Sequence, residues 1–140
     1  MARFAVIDFE TSGLAPDAGD RALEIAAVIV EDGAIVDSWQ SLMNPGIRVP
    51  HFITQLTGIS PIMVRMAPPP AEVMAAAARF VGDATVVAHN ASFDRKFWQL
   101  ELGQISTPCD HDFLCTLLLS RRLYPWSLIH KLATLVALHK

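Results

Sequence analysis

The chain has 140 residues, of which 52% are hydrophobic and 18% charged, so it is long enough to bury one core and too apolar for a disordered protein. Its net charge of −3 at pH 7 gives no general attraction to polyanions, although metal ions that neutralise some of its acids would change that balance. Two cysteines exclude a disulfide framework and favour reduced thiols in a cytoplasmic protein, and no apolar run approaches the ~18 residues of a membrane span.

The first part of the chain predicts three strands in an antiparallel meander. They are expected at residues 3–9, 22–30 and 34–42. The first is an apolar run that ends at an acidic pair and is predicted to be buried on both faces, whereas the second is apolar except for Glu24. The loop between them, rich in Gly, Pro and Asp, covers residues 13–21. Asp32-Gly33 is a hairpin turn signal, so the third strand should pair antiparallel with the second.

Helical signals dominate the rest of the chain. Ser60 and Pro61 are a typical N-cap and first helical residue, and a triple proline leads into an alanine-rich helix. Helices are expected at residues 52–56, from 61, at 71–81, from 91 or 92 to about 102 and at 129–140. A strand is expected at 85–88, and another strand or a strand–helix junction within 113–123. The last helix is amphipathic, with one apolar face formed by Ile129, Leu132, Leu135 and Val136. A meander followed by alternating helices and strands predicts an α/β fold with a mixed central sheet.

Two acidic side chains close the first strand. Asp8 and Glu10 flank Phe9, and residues two apart on a strand share a face and lie ~6.5 Å apart. Like charges that close repel strongly where solvation is poor, and a cation between them relieves the repulsion. Hard oxygen ligands favour Mg²⁺ or Mn²⁺. The alternative is a capping or salt-bridging pair at the end of a strand.

A second polar group follows the predicted strand at residues 85–88. His89 and Asn90 come directly after it, and Asp94 falls in the first turn of the next helix. Asp94 would supply a third metal carboxylate if this strand lies beside the first, as a parallel crossover connection favours. A helix-capping role is the alternative for Asp94. Asn90 is suited to holding a ligand or a neighbouring loop, and His89 is as readily structural as functional.

These segments resemble a known family. The DEDD 3′→5′ exonucleases have a first motif that resembles Asp8-Phe9-Glu10-Thr11-Ser12-Gly13-Leu14, and a second that resembles His89-Asn90-Ala91-Ser92-Phe93-Asp94. The branch with the proofreading epsilon subunit of bacterial DNA polymerase III is similar to this chain at residues 44–46, 53–59 and 121–125. The resemblance implies a ribonuclease-H-like α/β fold, with a mixed central sheet, a three-stranded antiparallel meander and flanking helices.

The resemblance also implies two-metal hydrolysis of phosphodiester bonds at a DNA 3′ end, with two Mg²⁺ or Mn²⁺ ions. Asp8 would bridge both ions, Glu10 would bind the ion that carries the attacking water, and Asp94 would help to hold the second. The residues implied to contact the substrate are Thr11, Gly13, Leu14, Thr57, Asn90 and Phe93. A single-stranded DNA end would be favoured as substrate, and a DNA polymerase subunit is the implied protein partner.

Members of this branch carry a third motif, a histidine general base followed five residues later by a fourth metal-binding aspartate. His130 is instead followed at that distance by Leu135, and His139 is the penultimate residue. The tyrosine-based version also fails, because Tyr124 leads to Leu128. The last helix has no stop signal. We therefore expect a single exonuclease domain over the whole chain that is C-terminally incomplete, lacks the last helix and the general base, and hydrolyses 3′ ends poorly or not at all.

Three functions are compatible with these motifs. The first is a DNA exonuclease that serves proofreading or repair. The second is a nucleic-acid-binding protein whose incomplete site holds a metal ion and a 3′ end without cutting. The third is an RNA-trimming exonuclease, since the motifs present do not read the sugar.

Overall fold

The computed structural model describes residues 2–138, which form one mixed sheet with helices packed on it. Its strands are β1 (Arg3–Thr11), β2 (Ala22–Glu31), β3 (Ala34–Leu42), β4 (Thr85–Ala88) and β5 (Phe113–Cys115). Its helices are α1 (His51–Thr57), α2 (Pro61–Arg65), α3 (Pro70–Val81), α4 (Ala91–Gln104), α5 (Thr116–Leu123) and α6 (Leu132–Leu138), with a short 3-10 helix at Pro16–Ala18. None of the helices described over this range is long and apolar enough to cross a membrane.

The sheet has the strand order β3-β2-β1-β4-β5. The first three strands pair antiparallel, and β4 and β5 run parallel to β1. The predicted mixed sheet with its three-stranded meander is therefore confirmed. The hairpin between β2 and β3 has positive φ at both central residues, Asp32 at 50° and Gly33 at 80°, as the turn that matches strand twist requires. The parallel crossover brings β4 directly beside β1, which was the condition for Asp94 to approach the acidic pair.

Most predicted helices form where local signals placed them. Ser60 caps α2 by accepting a hydrogen bond from the Met63 amide at 3.3 Å, with Pro61 in the first turn. The predicted last helix begins three residues late, at Leu132. The His130 ring is hydrogen-bonded to Ser120 Oγ and to the Ser127 carbonyl, each at 2.9 Å, and these bonds accompany a non-helical approach to α6. The last two residues of the predicted helix lie outside the described residues.

The two faces of the sheet differ in how well they are covered. Side chains on the face that packs against α3 and α4 are fully buried, namely Ala5, Ile7, Phe9, Ile25, Ala27 and Val86. The other face is only partly covered, because Val6 is 39% exposed and Leu114 is 51% exposed. The prediction that the first strand is buried on both faces is therefore wrong. Leu42 on this second face packs against a small cluster that includes Ile53 of α1 and Val64 of α2. Nearer β4 the face borders a groove of 390 Å³, whose lining includes Val28, Val87 and Leu135 of α6.

Candidate metal centre and nucleotide-binding loop

β1 presents the acidic pair on the open face of the sheet. Phe9 is 3% exposed and packs against Phe97 of α4, with ring centroids 6.4 Å apart. Asp8 and Glu10 alternate with it and therefore point to the opposite side, where Asp8 lines the end of the apolar groove. The prediction that the two carboxylates share a face is confirmed.

α4 brings a third carboxylate to this strand. The chain leaves β4 and turns sharply at Asn90, whose φ is 64°, before the helix begins at Ala91. Asp94 lies in the first turn and is 2% exposed. Its Oδ1 accepts a hydrogen bond from the backbone amide of Phe9 at 3.1 Å. Asp94 is thus held against β1 at the residue between Asp8 and Glu10, as the predicted adjacency of the strands requires.

The surroundings of all three carboxylates oppose their ionisation. Burial raises the pKa of Asp94 to about 7, although the hydrogen bond from the Phe9 amide lowers it. The nearby charges of Asp8 and Glu10 also raise this pKa. Burial also raises the pKa of Asp8, again partly offset by the Phe9 amide. The pKa of Glu10 is raised by burial and then by the charges of Asp8 and Glu24. A bound cation would relieve this repulsion, as the sequence argument anticipated.

The donor set fits a hard divalent cation that the substrate completes. All three side chains offer carboxylate oxygens, which suit Mg²⁺ or Mn²⁺. Over residues 2–138, however, no three acidic, histidine or cysteine side chains stand close enough to enclose an ion by themselves. Mg²⁺ commonly takes one or two protein carboxylates and fills its other positions with water and substrate phosphate. A cation at Asp8, Glu10 and Asp94 would therefore need further ligands from water or substrate.

The residues after the acidic pair begin a loop at the edge of this site. Thr11 is buried, and its hydroxyl donates to the Gly13 carbonyl at 2.6 Å, so it is used inside the loop. Leu14 is 81% exposed and is free to lie against a ligand. Gly13 is half-buried between them. The loop therefore exposes an apolar side chain above a tightly folded turn.

The other predicted contact residues fall into two groups. Asn90 is exposed and Phe93 is half-buried against Phe97, with ring centroids 5.1 Å apart, so both lie beside Asp94 at the start of α4. Thr57 lies at the end of α1, where its hydroxyl donates to the Ile53 carbonyl at 2.8 Å and accepts from the Ile59 amide at 3.1 Å. Its polar group is thus already engaged within its own turn.

Comparison with known proteins decides the family. The family model described as Exonuclease (RNase_T) matches residues 5–138. The chain belongs to this exonuclease family. It is 40% identical over 132 residues to a DNA polymerase III PolC-type of Caldanaerobacter subterraneus subsp. tengcongensis, covering 94% of this chain and 9% of the relative. It is also 40% identical over 124 residues to the 3′-5′ exonuclease DinG of Bacillus subtilis, covering 88% of this chain and 13% of the relative.

Structural comparison gives the same fold. Escherichia coli exonuclease I in complex with a dT13 oligonucleotide superposes with a TM-score of 0.78 at 19% identity, covering 89% of this chain and 30% of that one. The expected ribonuclease-H-like exonuclease fold is therefore confirmed. The expected exonuclease class agrees with the family model that matches residues 5–138. The exonuclease domain spans only a small part of its curated relatives, 9% and 13% of their lengths.

His89 of the exonuclease has a structural role. Its Nε2 lies 2.7 Å from the His130 carbonyl, which can only accept, so Nε2 carries the proton and donates. Nδ1 lies 2.9 Å from the Thr116 hydroxyl, within hydrogen-bond distance. Both ring nitrogens are occupied, and the side chain joins the end of β4 to α5 and to the segment before α6. Of the two roles left open by the sequence, the geometry supports the structural one.

Two acidic residues of the exonuclease were not singled out from the sequence. Glu24 is the direct cross-strand partner of Glu10 and faces the same side of the sheet. Glu101 is 1% exposed and forms a bidentate pair with Arg21 at 2.8 and 2.9 Å. The signals were present, since Glu24 is the only charge inside an apolar strand segment. Glu101 stands seven residues after Asp94 on the same helix face, beside buried apolar neighbours.

Proposed function

We propose that this exonuclease domain removes nucleotides from the 3′ end of single-stranded DNA, in proofreading or repair, with two Mg²⁺ or Mn²⁺ ions held by Asp8, Glu10 and Asp94. The observation that carries the proposal is that α4 holds Asp94 against the backbone of β1 between Asp8 and Glu10, and that all three carboxylates have raised pKa values. When bound, the ions would supply an activated water and stabilise the departing 3′ oxygen.

The chain's own residues would prepare and align the 3′ end. The Phe9 amide fixes one oxygen of Asp94 and leaves the other available to a cation. The exposed Leu14 offers an apolar surface to the terminal base, while the exposed Asn90 amide can hydrogen-bond a phosphate or sugar. The half-buried Phe93 offers a ring edge beside them. The name of the DinG relative supports the 3′-5′ direction, and the oligonucleotide complex of exonuclease I supports a single-stranded substrate.

The proposed hydrolysis is slow in this chain. Downstream of Asp94, no histidine of the sequence precedes an aspartate by five residues. His89 cannot replace the missing base, because its Nε2 proton is donated to the His130 carbonyl and its Nδ1 faces Thr116. Loss of a general base typically lowers a rate by about 10²–10⁴. The PolC-type relative supports a DNA polymerase as the protein with which such a domain works.

The alternative function is a domain that holds a metal ion and a DNA 3′ end without cutting, because the three carboxylates can bind a cation whether or not hydrolysis follows. The two functions share the same carboxylates and the same loop. They differ only in turnover, so one assay separates them.

The test is hydrolysis of a single-stranded DNA oligonucleotide labelled at its 5′ end, in Mn²⁺ and in EDTA. We expect stepwise shortening from the 3′ end to nucleoside 5′-monophosphates, about 10²–10⁴ times slower than by a relative with the third motif. Asp8→Asn should abolish it. Glu72→Gln, an equal charge change on an exposed residue of α3, should leave it unchanged.

Each contrary outcome has a definite meaning. Tight binding without cleavage identifies the binding protein, and faster cleavage of a matched RNA identifies the RNA-trimming enzyme. Turnover as fast as that of the relative, lost in Asp8→Asn, contradicts the proposed impairment. Shortening from the 5′ end contradicts the proposed direction.

A further inference from the structure

The loop between β1 and β2, residues 12–21, is closed by hydrogen bonds between its two ends. The Ser12 amide donates to the Arg21 carbonyl at 2.9 Å, and the Arg21 amide donates to Ser12 Oγ at 3.0 Å. These bonds fix the points at which the loop leaves and rejoins the sheet. They do not by themselves determine the shape of the residues between.

The carboxylate of Asp20 fills the inside of this loop. Its Oδ1 accepts from Ser12 Oγ and its Oδ2 accepts from the Ala15 amide, both at 3.0 Å. A Cβ added at Gly13 would overlap with this carboxylate. Since Gly13 is not among the glycines with positive φ, the close approach of Asp20 is what requires a glycine there. One side chain therefore determines the path of residues 12–15.

The same loop is attached to the helix that carries the third carboxylate. Arg21 forms its bidentate pair with the buried Glu101, and the Ala22 amide lies 3.4 Å from Glu101 Oε1. Glu101 follows Asp94 by seven residues on α4, and Asp94 is itself bonded to the Phe9 amide. The loop and the metal-binding carboxylates thus share α4 as a common support.

We infer that Asp20 is a positioning residue for the 3′-terminal nucleotide: it holds residues 11–15 beside the metal-binding carboxylates in the conformation that receives the nucleotide. This inference rests on the proposed function. Asp20 acts from inside the loop, through Ser12, Gly13 and Ala15, and does not touch the nucleotide itself. A loop that is already ordered loses little conformational entropy on binding, so the nucleotide binds more tightly than it would to a disordered loop.

Binding of dTMP measured by calorimetry in Mn²⁺ tests the inference without requiring turnover. Asp20→Asn keeps the volume of the side chain but removes its charge and replaces one acceptor oxygen with an NH2 group. The two charge-assisted hydrogen bonds are therefore weakened, and one of them is reversed or lost. We expect dTMP to bind about tenfold more weakly, which is the change in affinity that the loss of about one hydrogen bond produces. Mn²⁺ alone should bind with unchanged affinity. Asp17→Asn, an exposed carboxylate of the same loop, is the control and should bind dTMP normally.

A double-mutant cycle identifies the contact. Gly13→Ala in the wild-type chain displaces the Asp20 carboxylate and should weaken dTMP binding about as much as Asp20→Ala does. In the Asp20→Ala variant the carboxylate is absent, so the Cβ introduced by Gly13→Ala meets no overlap. There the glycine substitution should cause little further loss of dTMP affinity. Full additivity of the two losses would contradict the inferred role of Asp20.

The outcomes separate this inference from the proposed function. No binding of dTMP by the wild-type chain in Mn²⁺ overturns the proposed function and the inference with it. Equal binding by the wild type, Asp20→Asn and Asp17→Asn overturns the inference alone. A loss of Mn²⁺ affinity as large as that of dTMP assigns Asp20 a general structural role and also overturns it. If Asp20→Asn does not fold, Ser12→Ala, which removes one donor to the same carboxylate, decides the matter, because normal dTMP affinity there overturns the inference.

Discussion

Asp94 is buried where its negative charge is unfavourable. With 2% exposure and two acidic neighbours, its pKa is raised from 3.8 to about 7 in the folded protein. Between these values the unfolded chain has released the proton and the folded chain retains it, so folding binds protons and stability falls as pH rises. Above about 7 both states are ionised and the loss levels off. The metal-free fold is therefore weakened at the pH at which a cation would bind best.

Asp94→Asn should consequently stabilise the metal-free protein. The amide can still accept the Phe9 hydrogen bond but has no charge to bury. In EDTA at pH 8 the gain in unfolding free energy should be about 2–4 kcal/mol, shrinking towards zero near pH 4. Urea denaturation at several pH values measures it, with Asp17→Asn as the exposed control. A gain independent of pH would show that burial of charge at Asp94 is not its cause.

Among the secondary-structure elements, α4 is attached by an ion pair to the end of the loop between β1 and β2. Its Glu101 pairs with Arg21, and the two side chains are 0% and 23% exposed. A second ion pair joins Arg3 to Glu31 at 3.1 Å across β1 and β2, with side chains 38% and 36% exposed. The first pair is bidentate and its carboxylate is buried, whereas the second has one contact and both of its side chains are exposed.

Glu101→Gln should lower the unfolding free energy by about 3–5 kcal/mol, because it leaves the Arg21 charge without its buried partner. Glu31→Gln should cost less than about 1 kcal/mol, since water replaces the exposed partner. Urea denaturation at pH 7 compares the two variants. Similar losses in both would contradict the importance of burial at Glu101.

The local sequence pattern predicted the positions of the strands and helices well, but it predicted less well what packs against them. The hairpin at Asp32-Gly33 and the strand β4 lie where turn chemistry and apolar runs indicated. The apolar run of β1 gave no information about what covers its second face, and Val6 is partly exposed there. The amphipathic pattern likewise begins at Ile129, three residues before the helix itself begins at Leu132.

In the candidate site, the sequence likewise predicted some residues and missed the contacts of others. Motif spacing identified Asp8, Glu10 and Asp94, and the topology that unites them followed from the usual crossover connection. The pairing of Arg21 with Glu101 joins residues 80 positions apart, and no local pattern reports such a contact. The packing of Asp20 against Gly13 is local in sequence, yet it depends on a loop conformation that composition does not specify.

At the scale of the whole molecule, the site joins the two halves of the chain. Asp8 and Glu10 belong to the meander, and Asp94 belongs to the later helix–strand segment. The apolar core lies on one face of the sheet, and Asp8 and Glu10 lie on the opposite, partly open face. Asp94 reaches β1 from α4, on the covered side. A cation that binds both halves would therefore oppose global unfolding, and its effect should be seen in the stability of the entire domain.

Mn²⁺ should raise the unfolding temperature, and more at pH 8 than at pH 6. At 100 times its dissociation constant a ligand adds about 2.7 kcal/mol, or ~9 °C for a domain of this size. With the pKa of Asp94 at about 7, the site must release a proton to bind Mn²⁺ at pH 6. That requirement weakens binding roughly tenfold and should reduce the shift to ~5 °C at the same Mn²⁺ concentration.

Calorimetric melts of the wild type, Asp8→Asn and Glu72→Gln decide between site binding and non-specific binding. Glu72→Gln should follow the wild type, whereas an equal shift in Asp8→Asn, or identical shifts at both pH values, would show that Mn²⁺ does not bind through these carboxylates.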